Sequence, residues 1–124
     1  MKSRDTLIRL KRFQVEEKSR RVRQIEIMSG EFTRMCGDLD REIGNEERRS
    51  GHTDPNHFAY PTYARAAAAR RDKLQTSIAD LGGQLLQARA ALEDAQAELR
   101  KCESLEGREK AMERHAQAEH TQSA

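Results

Sequence analysis

Between residues 74 and 102 apolar residues recur at alternating intervals of three and four. The series is Leu74, Ile78, Leu81, Leu85, Ala88, Leu92, Ala95, Leu99 and Cys102. Residues spaced this way fall on one narrow face of an α-helix, which is the seam of a coiled coil and not the broad face of a helix packed on a globular core. In heptad notation the a positions are Ile78, Leu85, Leu92 and Leu99, and the d positions are Leu74, Leu81, Ala88, Ala95 and Cys102. Run backwards, the register reaches Ala67, Ala64 and Tyr60, with Arg71 its one polar member.

An earlier block keeps the same seven-residue spacing less cleanly. Its a positions are Ile8, Val15, Val22, Ser29, Cys36 and Ile43, and its d positions are Lys11, Lys18, Ile25, Phe32 and Leu39. Leu7, Met28 and Met35 widen the stripe from g, while the two lysines weaken its start. Both prolines, Pro55 and Pro61, lie between the blocks in RRSGHTDPNHFAYPTYA. Proline removes an amide donor and clashes with the preceding turn, so no helix runs smoothly through this segment. The pattern predicts helix 1 over about Ser3 to Arg49, a tip over 50–60, helix 2 over about Pro61 to His115, and a frayed tail over 116–124. Ser3 suits the N-cap of helix 1, Pro61 the first turn of helix 2, and Asp54-Pro55 the start of a short turn within the tip.

A turn centred near residue 55 makes the numbers of facing residues in an antiparallel pair sum to about 110. That sum sets a against d throughout: Val22 by Ala88, Ile25 by Leu85, Phe32 by Ile78, Cys36 by Leu74 and Ile43 by Ala67. It also sets a basic segment beside an acidic one. Residues 1–23 hold Lys2, Arg4, Arg9, Lys11, Arg12, Lys18, Arg20, Arg21 and Arg23 against Asp5, Glu16 and Glu17, whereas residues 93–124 are richer in acidic than basic side chains. The expected fold is all-α, a single antiparallel coiled-coil hairpin. On that fold Cys36 and Cys102 lie roughly 40 Å apart along the axis at the helical rise per residue, too far for a disulfide. They read as free thiols acting as small core hydrophobes in a reducing compartment.

Composition agrees with a narrow seam. Hydrophobic residues are 35% of the 124, charged residues are also 35%, and aromatics are 4%, which is too little apolar material for a compact globular core. No stretch approaches the roughly 18 apolar residues of a membrane span, and the amino terminus lacks the apolar run of a secretory signal. The expected location is the cytoplasm. No catalytic constellation is visible, so the chain reads as a non-enzyme needing no cofactor or metal. A Cys36–His57 pair would need a thiol that the seam buries, His115 and His120 point to different helix faces, and Gly82-Gly83 lacks the spacing and lysine of a phosphate loop.

What remains are surfaces for protein partners. The basic start reads as a solvated helix face, as a docking surface for an acidic protein (through Arg4, Arg9, Arg12, Arg20 and Arg23), or as a nucleic-acid site. The last is disfavoured, because aromatic stacking partners are missing. The tip gathers Phe58, Tyr60 and Tyr63, whose rings either cap the hairpin or anchor a partner. Gly82-Gly83 reads as a soft point in helix 2 or as a tolerated weak spot. Gly30, Gly37 and Gly44 recur at b, off the seam.

Two stretches, SRDTLIRLKRFQVEEKSRRVRQIE and DPNHFAYPTYARAAAARRD, resemble the FliJ family of flagellar export proteins in its shorter alphaproteobacterial form. The resemblance implies a stalk-like helical hairpin of the type III export apparatus. Its paired terminal ends would sit in the hexameric export ATPase ring, with other surfaces meeting the membrane export gate and export chaperones. It would associate with the inner membrane only peripherally, through those partners. Carried onto this chain, the ring-contacting end would hold Arg4, Arg9, Arg12 and the segment from Leu99 to Arg108, and the free tip Phe58, Tyr60 and Tyr63. The competing expectation is a general cytoplasmic coiled-coil scaffold with no ATPase partner.

Overall fold

The computed structural model describes residues 2–123. Two helices, α1 (Lys2–Ser50) and α2 (Thr62–Ser123), pack against each other as an antiparallel hairpin. Helix α1 ends where Gly51 takes a left-handed φ of 79° and donates its N–H to the Glu47 carbonyl at 2.9 Å. This is an αL termination, open to glycine because it has no Cβ to clash. Ser50 Oγ then accepts the His52 N–H at 3.1 Å. In the tip Asp54 does what its sequence position suggested. Its Oδ1 accepts from the Asn56 N–H at 3.0 Å and its carbonyl from the His57 N–H at 3.0 Å. The Pro61 carbonyl receives the Arg65 N–H at 3.1 Å and so opens α2.

Three boundary expectations change. Ser3 lies inside the first turn of α1, which already includes Lys2, and is not its N-cap. Pro61 precedes α2 instead of occupying its first turn. Helix α2 runs on to Ser123 where a frayed tail was expected from 116; alanines, glutamates and glutamines there are good helix formers even without a seam.

The chain divides into two units, each with its own part of the seam: a tip unit, Arg23–Gln87, and a terminal unit, Met1–Val22 with Ala88–Ala124. In the tip unit Ile25 is 1% exposed, and Cys36 and Leu81 are buried. Leu39, Ile43, Tyr60, Ala64 and Ala67 form a buried cluster flanked by Ala68 and Leu74. Phe32, Ile78 and Leu85 are half-buried. In the terminal unit Ile8, Val22 and Ala95 are buried, and Val15, Leu92 and Leu99 are half-buried. Each seam residue of a two-helix pair has only one facing helix, so partial burial is its ordinary condition.

Cross-helix contacts follow the predicted register. In the terminal unit Lys11 meets Glu98 at 2.8 Å, Arg12 meets Glu103 at 3.1 Å, and Arg4 pairs with Glu109. In the tip unit Arg71 meets Asp40 at 2.9 Å. Two seam expectations do not hold. Lys18, assigned to d, is exposed, and Ser19 turns partly inward in its place. A lysine ammonium at d would be desolvated without a partner, whereas a serine is small enough to tolerate the seam. Leu7, Met28 and Met35 were expected to broaden the buried stripe but remain exposed, since a lone partner helix covers a and d and not g.

Candidate functional site

The tip is built from the last turn of α1, the proline segment and the first turns of α2. Phe58 is 96% exposed. Its ring stacks on His57 at 4.7 Å between centroids, and His57 stacks on His52 at 4.3 Å. His57 is itself pinned, because its Nδ1 accepts the Ala59 N–H at 3.0 Å. The Tyr60 N–H donates to the His57 carbonyl at 3.0 Å. An exposed phenyl ring thus stands on an ordered pedestal.

The three tip aromatics separate into different roles. Tyr60 is 6% exposed and belongs to the core, so its assignment as a partner-binding residue is corrected. Its hydroxyl donates to Glu47 Oε2 at 2.8 Å, and the Arg65 guanidinium sits 5.4 Å above its ring. Burial, then the hydrogen bond to Glu47, raises the Tyr60 phenol above its ordinary 10.0. Tyr63 is exposed, and its hydroxyl donates to Glu42 Oε2 at 2.8 Å. That bond is the main cause of a raised Tyr63 phenol. Tyr60 therefore caps the hairpin while Phe58 is presented outward.

The five candidate arginines also divide. Arg4 and Arg12 bind carboxylates of α2, and Arg20 is held by Glu17 on its own helix at 3.3 Å. Arg23 is exposed and makes an interaction of its own. Arg9 is exposed with no ion pair among the described residues. Arg4, Lys11 and Arg12 of the basic start thus pair with α2, whereas Arg9 remains available to a partner. Glu17 three residues before Arg20, and the acidic residues of α2 near the register positions of Arg4 and Arg12, were the available signal for this.

Cys36 and Cys102 are free thiols, the first buried with its Sγ 3.9 Å from the Arg71 carbonyl, the second half-buried. Among the described residues no group of three or more His, Cys, Asp or Glu side chains could hold a metal ion, and no helix is long and apolar enough to cross a membrane. Sequence reasoning missed one surface. On the terminal unit Leu7, Leu10, Phe13, Leu105 and Met112 are all exposed. The heptad register would have found it, since Leu7, Leu105 and Met112 all fall at g. Comparison with protein-family models, curated proteins and solved structures gives no match for this chain.

Proposed function

We propose that this chain is a non-catalytic, protein-binding hairpin of the flagellar type III export apparatus. It works in the cytoplasm as a stalk-like element on the hexameric export ATPase and reaches the membrane export gate and export chaperones through its exposed surfaces. The observation that carries the protein-binding part is Phe58, fully presented to solvent on the His57–His52 stack. A large exposed ring held in one place loses little freedom on docking, which is why aromatic side chains dominate interface hot spots. The export assignment rests on the resemblance of the amino-terminal and tip stretches to the FliJ family. Arg9 and the exposed positions between Leu99 and Arg108 are the contacts offered to a ring.

The test is co-purification with the export ATPase and gate, together with ATP turnover. The proposal expects the chain to bind the ATPase and raise its turnover, with Arg9→Glu weakening that binding and Phe58→Ala weakening contact with the gate or chaperones. No binding and no change in turnover would overturn it. The second reading, a scaffold without an ATPase partner, is favoured by the exposed apolar residues of the terminal unit.

A further inference from the structure

The pedestal under Phe58 is made of two titratable rings. His52 and His57 lie face to face, 4.3 Å between centroids and 18° from parallel, and both are half-buried. His57 in turn stacks on Phe58 at 4.7 Å and 24°. The bond that fixes the His57 ring runs from the Ala59 N–H to Nδ1 at 3.0 Å. A backbone amide can only donate, so Nδ1 presents its lone pair and the ring proton of the neutral imidazole sits on Nε2. Nδ1 is then the one basic atom this ring has.

The charged groups around the stack are engaged elsewhere. On the last turn of α1, Glu47 accepts the Tyr60 hydroxyl at 2.8 Å, Glu46 meets Arg49 at 3.3 Å, and Arg48 turns back to Asn45. Within the turn Asp54 holds the Asn56 N–H, and at the start of α2 Arg65 covers the Tyr60 ring. Among the described residues no carboxylate bonds either imidazole of the tip.

From this geometry we infer that His57 is a proton switch on the presentation of Phe58. A proton from solvent adds to Nδ1, and two donors, Nδ1–H and the Ala59 N–H, then face each other where a bond had been. Each needs a new acceptor, so the ring turns away to find one in water. Protonation also puts a cation against His52, and a second proton, on His52, sets two like charges 4.3 Å apart. Both effects act in one direction: His57 leaves the stack, and Phe58 exchanges a fixed position for free rotation. Imidazoles ordinarily change charge between about pH 5 and 8, where carboxylates stay ionised and the ion pairs of the helices persist. The consequence for docking rests on the reading of Phe58 as a partner contact, because a ring that must be ordered on binding binds less well. The switch itself does not depend on that reading.

NMR on the full chain, with no partner added, tests the switch. At about pH 8 the His57 ring should show NOEs to the rings of His52 and Phe58, and the Ala59 amide should shift little on warming, as a hydrogen-bonded amide does. On titration to about pH 5 those NOEs should be lost and Ala59 should take on the temperature dependence of a free amide. Both changes should share the midpoint of the His57 Cε1–H resonance. His57→Asn offers an amide oxygen that accepts but does not titrate, so its Ala59 amide should stay bonded throughout. Helicity by far-ultraviolet circular dichroism should hold constant over the interval. NOEs that survive protonation of His57, an Ala59 amide released equally in His57→Asn, or a parallel fall in helicity would each overturn the inference. The spectra contain no export protein, so their failure is distinct from a failure to bind one.

Discussion

Arg71 is the residue whose surroundings matter most. It holds a seam position between Ala67 and Leu74, directs its guanidinium to Asp40 and Asp72, and leaves its Nε buried without a partner. An arginine here covers the seam with its aliphatic stem while its charged head reaches outward. Asp40 is largely exposed and can be solvated alone, so replacing the arginine by an apolar residue removes an orphaned donor and strands no buried charge. Arg71→Leu should stabilise the hairpin by about 1 kcal/mol, read as a higher chemical-denaturation midpoint. The Lys11–Glu98 pair carries the clearest pH dependence. Their mutual hydrogen bond raises Lys11 above 10.5 and lowers Glu98 below 4.5. The Glu98 contribution is present above 4.5 and lost as pH falls through its lowered value, whereas that of Lys11 is present below 10.5 and lost as pH rises through its raised value. Stability from this pair should be level across neutral pH and fall at both extremes. Thermal melts of Lys11→Met, compared with wild type across pH, should lack both of those falls. The pair is exposed, so the effect is small.

At the scale of elements, the long apolar series of α2 was legible because nine successive positions obey one spacing. All nine are buried or half-buried, as a seam facing one helix requires. Helix α1 was harder to read where polar residues share the seam: spacing alone put Lys18 inside, and only the cost of burying an ammonium turns it out in favour of Ser19. The tip was legible as a break but not in its detail. The seam register run backwards reaches Tyr60 and not Phe58, but no helix runs through the tip to enforce it, and the turn after Pro55 sets which ring faces the core. The candidate arginines were legible as charge but not as occupied, because that depends on carboxylates far along the chain. Helix α2 also carries two glycines that its packing does not need. A Cβ at Gly82 or Gly83 would meet nothing within 4 Å. Gly82→Ala and Gly83→Ala should each stabilise by about 0.8–1.0 kcal/mol, the helix-propensity difference, raising the melting temperature additively. Destabilisation by either would point to a role for the glycines beyond tolerance. Ile25→Ala, at the most completely buried large side chain, should cost about 2 kcal/mol or more.

For the whole molecule, fold and function rest on different supports. The hairpin follows from heptads, a proline break and charge placement, each pointing to one register. Function lives in surfaces, and a surface residue is not identified by its own periodicity. Of the candidate residues, Phe58 at the tip and Arg9 in the terminal unit are exposed. Phe58→Ala should leave the melting temperature within about 1 °C while reducing partner capture, since the exposed ring contributes little to the fold. The measurement closest to the central claim is disulfide trapping in a chain whose native thiols are replaced (Cys36→Ser, Cys102→Ser). Ile25→Cys with Leu85→Cys, facing positions of the antiparallel seam, should form an intrachain disulfide rapidly under mild oxidation. Ile25→Cys with Leu92→Cys, displaced by one heptad, should not. Equal trapping of both pairs, or crosslinks formed only between chains, would contradict the hairpin register from which every surface assignment is derived.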